Sequence, residues 1–277
     1  MQPHSLQSFS TIGFLGAGRM ATALAKGIVA AGHLPPEQIF ASDLSDESLH
    51  KFANVIPGCK LLGSNQKLVE QSDLLILAIK PQAARAALGD LPVANPRTVI
   101  LSVMAGIRIK SLESWLQTPR IIRCMPNTPS LISRGAIGLA ASPAVSAEQL
   151  AVVEQLLQSL GLVVRTTEAQ LDAVTGLSGS GPAFVFSFIR GLIAGGVASG
   201  LPPESARQLA LQTLAGATAL LHETGSAPEE LIAQVTSPGG TTLRGLEVLR
   251  SGGFEELVSN CVQAASQRAE ELGRAPS

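Results

Sequence analysis

The sequence predicts an α/β protein in two parts: a parallel-sheet domain over residues 1–166 and an all-α domain over residues 167–277. Three observations carry that expectation. The chain has 277 residues, about twice a typical domain of roughly 100–150. Its first half alternates short apolar runs with helix-length amphipathic stretches, the pattern of βαβ units. After residues 163–165 the strand signal almost vanishes, and long Ala/Leu/Gly-rich stretches follow.

Residues 11–15 form a short apolar run that stops at Gly16. Residues 20–31 then read as a helix closed by Gly32, a residue suited to the left-handed position after a helix. Residues 39–42 are the next strand, and Ser45-Asp46-Glu47 is a helix start with acids in the first turn. Residues 74–79 are apolar without alternation, as in a strand covered on both faces, and 99–102 and 121–124 resemble it. Strands separated by helix-length segments imply a parallel sheet with right-handed crossovers. In the second half, helices are expected over 168–177, 182–199, 203–224, 228–235, 241–251 and 255–272, several with proline near the start. In 203–224, Leu209, Leu211, Leu214, Leu220 and Leu221 mingle with Ala206, Ala210, Ala215, Ala217 and Ala219. A helix apolar almost all round needs cover on most sides, and exchange of helices with a second copy of the chain supplies it.

Composition excludes several function classes. Lys and Arg number 20 against 21 Asp and Glu, so no bulk attraction to nucleic acid or an anionic membrane follows. Tyrosine is absent, which removes any mechanism built on it, and aromatics at 3% are too few for a base-stacking surface. Cys59, Cys124 and Cys261, with His4, His33, His50 and His222, show no metal-ligand spacing. No metal is expected. An odd cysteine count, with no apolar leader in residues 1–8, fits a reducing, cytoplasmic setting. The longest stretch without a charge, 173–189, is interrupted by Ser178-Gly179-Ser180-Gly181-Pro182 and reads as too short and too broken to span about 30 Å of bilayer.

Gly16-Ala17-Gly18-Arg19-Met20-Ala21 stands between the first strand and the first helix as a G-x-G-x-x-A fingerprint of Rossmann-type dinucleotide sites. Gly16 permits the tight turn, Gly18 lets backbone approach a pyrophosphate, and Ala21 lets helix and strand pack closely. The helix start then offers free N–H groups to that pyrophosphate. Asp43, at the end of the second strand, is placed to accept the ribose hydroxyls of NAD, to cap the loop, or to face solvent; Ser42 and Ser45 are the polar groups near it. Lys80, in Ala78-Ile79-Lys80-Pro81, lies at the carboxyl end of the most apolar strand, where ligands of open parallel sheets bind. Asn65 is a candidate to bond adenosine or to cap the helix after it. Two hydroxyl-rich turns feed helices in the second half: 175–182 and 235–242. In the latter, Gly239, Gly240, Thr241 and Thr242 can aim successive N–H groups into one concavity, a cradle for a small carboxylate.

With these residues in view, the chain resembles the pyrroline-5-carboxylate reductase family over almost its whole length. The strongest parts are Asp172-Ala173-Val174-Thr175-Gly176-Leu177-Ser178-Gly179-Ser180-Gly181-Pro182-Ala183 and Thr236-Ser237-Pro238-Gly239-Gly240-Thr241-Thr242, with Arg123-Cys124-Met125-Pro126-Asn127-Thr128-Pro129 and Lys80-Pro81-Gln82. Family members often carry Tyr after Gly-Pro-Ala, where this chain has Phe184-Val185-Phe186. Some NADP-preferring members carry Asn-Arg where this chain has Ser42-Asp43, which leaves NADH and NADPH both open. The resemblance implies a cofactor held by Gly16, Ala17, Gly18, Arg19, Met20, Ser42, Asn65, Ala78, Lys80 and Pro81. It implies a substrate held by the turn from Ser237 to Thr242, contributed by the neighbouring subunit. It also implies a helical dimerisation domain that forms intertwined homodimers, assembled in some members into decamers.

The activity so implied is reduction of Δ1-pyrroline-5-carboxylate to L-proline by hydride transfer to the C=N carbon. Gly240, Thr241 and Thr242 N–H groups, helped by Ser237, are expected to anchor the carboxylate. The Thr242 hydroxyl is the best-placed group for the imine nitrogen, as a positioner rather than a strong acid. Glu168 is a helix-start acid favoured by the dipole or, as the less common case for its place, a further substrate contact. Three rivals remain beside this reading. A β-hydroxyacid dehydrogenase would use a helix lysine, and no lysine follows Lys110. An imine reductase for another cyclic imine differs only in pocket shape. A dinucleotide-sensing module without turnover would not need the Ser237-to-Thr242 turn.

Overall fold

Ile12–Leu15 leaves no face for water, and it forms β1 inside a sheet that is buried on both sides. The computed structural model describes residues 9–274 except 90 and 94. β2 (Ile39–Ser42), the short β3 (Lys60–Leu61), β4 (Leu74–Leu77), β5 (Val99–Ser102), β6 (Ile121–Met125), β7 (Gly135–Ala141) and β8 (Gly161–Arg165) complete one sheet in the order β3-β2-β1-β4-β5-β6-β7-β8. Between the strands lie α1 (Arg19–Ala30), α2 (Asp46–Val55), α3 (Asn65–Glu70), α4 (Ala84–Leu88), α5 (Ile109–Leu116) and α6 (Ala147–Gln158). Side-chain caps fix several starts: Ser45 accepts from Ser48 N–H, Ser64 from Lys67 N–H, and Ser146 with Gln149 forms a capping box.

The sheet is not parallel throughout. β7 pairs antiparallel with β6, and β8 pairs parallel with β7, so the last two strands oppose the first six. The cause is the length of the connection: residues 126–134 are fewer than the dozen or so that a parallel crossover needs. α6 then provides a full crossover between β7 and β8. β7 is rich in Gly and Ala because its neighbours press on it. A Cβ at Gly138 would lie 2.8 Å from a Val174 methyl. One face of the sheet is packed by Phe14, Leu24, Ile28 and Phe52, the two rings 5.5 Å apart; the other by Leu75, Leu77, Leu112 and Trp115.

Strand gives way to helix between Arg165 and Glu168. Contacts divide the described residues into 9–180 with 264–274, and 181–263. The stretch after β8 stays with the sheet because charged groups tie it there. Glu168 pairs with Arg123 at 2.8 Å and accepts from Ile109 N–H at 2.6 Å, and Asp172 pairs with Arg108 at 2.6 Å. α7 (Leu171–Val174) and a π-turn (Thr175–Gly179) follow.

The second unit holds α8 (Gly181–Ala198), α9 (Pro203–Thr224), α10 (Pro228–Gln234), α11 (Thr241–Ser251) and the start of α12 (Phe254–Arg274). α8 and α9 approach closely at Gly196, where an added Cβ would lie 3.2 Å from that of Ala206. Elsewhere the apolar surface is uncovered: Phe186 is 63% exposed, Leu209 57% and Val248 71%. An open apolar cavity of about 670 Å³ runs between Phe184, Phe188, Leu214, Leu249 and Leu257. The helical residues 168–198 are, by length and composition, apolar enough to cross a membrane, contrary to the broken run read from the sequence. The break is absorbed by the π-turn and by Pro182 in the first turn of α8, where its missing N–H costs nothing.

Removing the Glu168 carboxylate leaves Arg123, whose side chain is 5% exposed, without its partner. Breaking a buried pair costs about 3–5 kcal/mol, and the 30% exposure of Glu168 lowers that to about 2 kcal/mol. Urea unfolding of Glu168→Ala is expected to show that loss; an unchanged midpoint would remove the pair from the scaffold.

Candidate functional site

β1 ends at Leu15, and the chain turns at Gly16 with φ +99°. A Cβ there would lie 2.7 Å from the Ala78 carbonyl oxygen, so only glycine fits between the ends of β1 and β4. Gly16 N–H donates to Ser42 C=O at 2.8 Å, and Ala78 N–H donates to Leu15 C=O at 2.8 Å, which lock the turn to both neighbouring strands. Gly18 precedes α1 with ordinary φ −73°, and a Cβ added there would meet nothing within 4 Å. Space is therefore left in front of α1, which has neither a side-chain cap nor an acid in its first turn. Its leading N–H groups and positive end are free for an anion.

That space is one end of a cavity of about 630 Å³ bounded by Gly16, Gly18, Ser42, Asp43, Asn65 and Lys80, with Ala78 beside them. Pro81 opens the 3₁₀ turn after Lys80. Ala17 and Arg19 line an adjoining groove of about 450 Å³, whereas Met20 packs against the core and Ala21 is fully buried in it. Met20 and Ala21 therefore offer backbone rather than side chain. The donor set fits a nicotinamide dinucleotide: free helix-start N–H groups for a pyrophosphate and polar side chains at the end of β2 for a ribose.

At two positions the structure chooses among the roles the sequence left open. Asp43 is first of all a cap on the turn, accepting from Ala17 N–H at 2.7 Å and from Ser45 N–H at 2.8 Å. Only its remaining lone pairs face a ribose. Asn65 does not cap α3, because Ser64 does; its side-chain oxygen accepts from the Ser42 hydroxyl at 2.8 Å, which leaves its amide N–H₂ as donor.

In the second unit, α10 leads into the other glycine turn. Gly239 takes φ +71°, and Gly240 N–H closes the turn on Ser237 C=O at 3.0 Å. Gly240 N–H is thus committed, and it is not available to a carboxylate as expected. The free donors are the N–H groups at the start of α11, Thr241, Thr242 and Leu243, since α11 has no side-chain cap and no acid in its first turn. Ser237 Oγ packs on Gly240, where a Cβ would lie 2.4 Å away. Thr241 and Thr242 are exposed.

Glu168 is corrected as well. Its carboxylate is bound to Arg123 and Ile109 N–H, so it is an internal anion at the start of α5, not a free substrate contact. Asn127, quoted in a motif but given no role, turns out to be a connector. Its amide donates to Ser178 C=O at 3.0 Å, and its oxygen accepts from Ala136 N–H at 3.0 Å. It thereby holds the π-turn at the carboxyl end of β6, the sheet edge where ligands bind and where π-turns often mark function. An asparagine just beyond a buried strand and its proline was the available signal. Burial pushes the Cys124 thiol up to about 12, so it is no nucleophile. Among the described residues no group of His, Cys, Asp or Glu is placed to hold a metal ion.

Comparison with known proteins agrees with this layout. Residues 168–272 match the model for pyrroline-5-carboxylate reductase dimerisation, and residues 11–106 match that for NADP oxidoreductase, coenzyme F420-dependent. The chain is 43% identical over 264 residues to a pyrroline-5-carboxylate reductase of Pseudomonas aeruginosa, covering 94% of this chain and 96% of that one. Its structure is similar to that of a pyrroline-5-carboxylate reductase from Coxiella burnetii, with TM-score 0.89, 33% identity, and coverage of 96% and 99%. It is also similar to the Plasmodium falciparum pyrroline carboxylate reductase solved with NADP bound, with TM-score 0.85, 30% identity, and coverage of 95% and 98%.

The two glycines of the first turn should fail differently. Gly16→Ala forces a side chain into a left-handed backbone against the Ala78 carbonyl, and is expected to destabilise the protein by about 2–3 kcal/mol. Gly18→Val is expected to lose only about 1 kcal/mol at the helix cap, yet to abolish quenching of NADH fluorescence. A Gly18→Val protein that binds NADH normally would refute the role assigned to this turn.

Proposed function

Since the chain belongs to the pyrroline-5-carboxylate reductase family, we propose a division of its reaction among the residues above. The reaction is the NAD(P)H-dependent reduction of Δ1-pyrroline-5-carboxylate to L-proline. When bound, the nicotinamide supplies the hydride that adds to the C=N carbon. The observation that carries the reading within this molecule is the Gly16–Gly18 turn, with open space before an uncapped, acid-free α1.

Gly18 and the first N–H groups of α1, from Arg19 to Ala21, hold the pyrophosphate. Asp43, Ser42 and Asn65 hold the adenosine end, and Ala78, Lys80 and Pro81 form the wall at the end of β4. Thr241 and Thr242 N–H groups bind the substrate carboxylate, with Ser237 and the left-handed Gly239 shaping the turn around them. The Thr242 hydroxyl holds the imine nitrogen in place. The turn from Ser237 to Thr242 contains no titratable side chain, so a hydroxyl-bound water passes on the proton.

The chain is a homo-oligomer built on its dimerisation segment. We infer that its dimers associate further, up to a decamer, and that it works in the cytoplasm without a membrane or nucleic acid partner. The free Cys59, Cys124 and Cys261 and the net charge of −1 support that setting.

NADH or NADPH oxidation on addition of pyrroline-5-carboxylate tests the reading directly. Thr242→Ala is expected to lower kcat/KM about tenfold to a hundredfold, the effect of losing a hydrogen bond of ~1.5–3 kcal/mol. Wild-type turnover in that variant would take Thr242 out of the site.

A further inference from the structure

At the carboxyl end of β2 the cofactor cavity is bounded by a carboxylate tied to two backbone N–H groups. Asp43 holds Ala17 N–H with one oxygen and Ser45 N–H with the other, at 2.7 and 2.8 Å. Swinging it out would leave both N–H groups unpaired and release the glycine turn. Next to it, Ser42 is buried with its hydroxyl on Asn65. The α2 start that follows is already supplied with anions, carrying Asp46 and Glu47 in its first turn.

Of the cations nearby, Lys51 is engaged and the others come from elements other than the end of β2. Lys51 pairs with Glu47 at 2.5 Å, and its hydrogen bond and charge hold Glu47 below the usual carboxylate range. Lys80 bounds the same cavity from beyond the end of β4, with β1 between that strand and β2. Arg19 and Lys26 line the groove on the α1 side of Gly18 and do not bound the cavity.

We propose that this enzyme selects the dinucleotide that lacks a 2′-phosphate, with Asp43 as the selecting residue. The inference rests on the glycine turn being the cofactor site. In this fold the adenosine ribose lies at the end of the second strand. A ribose diol donates to the lone pairs Asp43 still has free. A 2′-phosphate brings about −1.5 to −2 charges to the same place, against a carboxylate tied there by two backbone N–H groups. The Plasmodium falciparum relative was solved with NADP bound, so the preference is a property of this chain's own residues.

Equilibrium titration of the full-length protein with NADH and NADPH, read by nicotinamide fluorescence, tests this without turnover. NADH is expected to bind at least tenfold tighter, and 5′-AMP to displace it at least tenfold better than adenosine 2′,5′-bisphosphate. Asp43→Asn keeps an oxygen for Ala17 N–H while removing the charge, and should narrow the NADH–NADPH ratio at least threefold. Equal affinities in the wild type, or a ratio unmoved in Asp43→Asn, would overturn the proposal while leaving the cofactor site in place. So would an Arg19→Ala protein that loses NADPH affinity threefold more than NADH affinity, because a cation would then be meeting the phosphate. Should neither dinucleotide bind the wild type, the glycine-turn reading itself falls and the selection with it. If Asp43→Asn does not fold, the wild-type dinucleotide and mononucleotide pairs still decide.

Discussion

Gly16 passes so close to the carbonyl of Ala78 that a single methyl group would sit 2.7 Å from its oxygen. The first turn of the molecule depends on that approach. With φ at +99°, Gly16 turns β1 away between the ends of β2 and β4, and its N–H still finds Ser42 C=O. Asp43 then takes up Ala17 N–H, so the turn is held from the β2 side by a side chain and from the β4 side by sterics. α1 is aimed by these constraints, and its unpaired start faces the cavity. In the proposed reading, cofactor binding follows from backbone geometry more than from any one reactive side chain.

Much of this was legible in the residues. Two strands were read with the bounds they have, β2 and β5, because buried parallel strands are continuous apolar runs. The helix after the fingerprint and the Ser45 cap were legible for the same local reasons. β7 was not, since its Gly and Ala residues carry little strand propensity and are chosen by the close approach of Val174 and Ser130. Its reversed direction followed from a connection length rather than from any residue pattern. The fates of Asp43, Gly240 and Glu168 were beyond the sequence too. Each could serve a ligand or a backbone neighbour, and only the fold shows which N–H or guanidinium arrives first.

A common physical rule describes several of the helix starts. α2, α6, α9, α10 and α12 carry an acid in the first turn and so satisfy their own positive ends. α5 has none, and Glu168 reaches across from the chain after β8 to supply it. α1 and α11 also have none, both are preceded by glycine, and neither receives a side-chain cap. They are the helix starts at which the reading places the two anions of the reaction, a pyrophosphate and a carboxylate.

Those two starts differ in what holds them. α1 belongs to a unit whose core closes by itself, with Ile12, Phe14, Leu24 and Ile28 shielded from water. α11 belongs to a unit that leaves Phe186, Leu209 and Val248 largely bare in a single chain. Apolar burial is worth about 25 cal/mol per Å², so a helical unit with so much of it unrealised gains its rigidity from association. The proposed dinucleotide cradle therefore rests on a core that one chain closes, whereas the proposed carboxylate turn rests on helices whose apolar faces one chain leaves bare. The proposed carboxylate turn lies within residues 168–272, the segment that matches the dimerisation model, so the helices that carry it are those whose apolar faces association would cover.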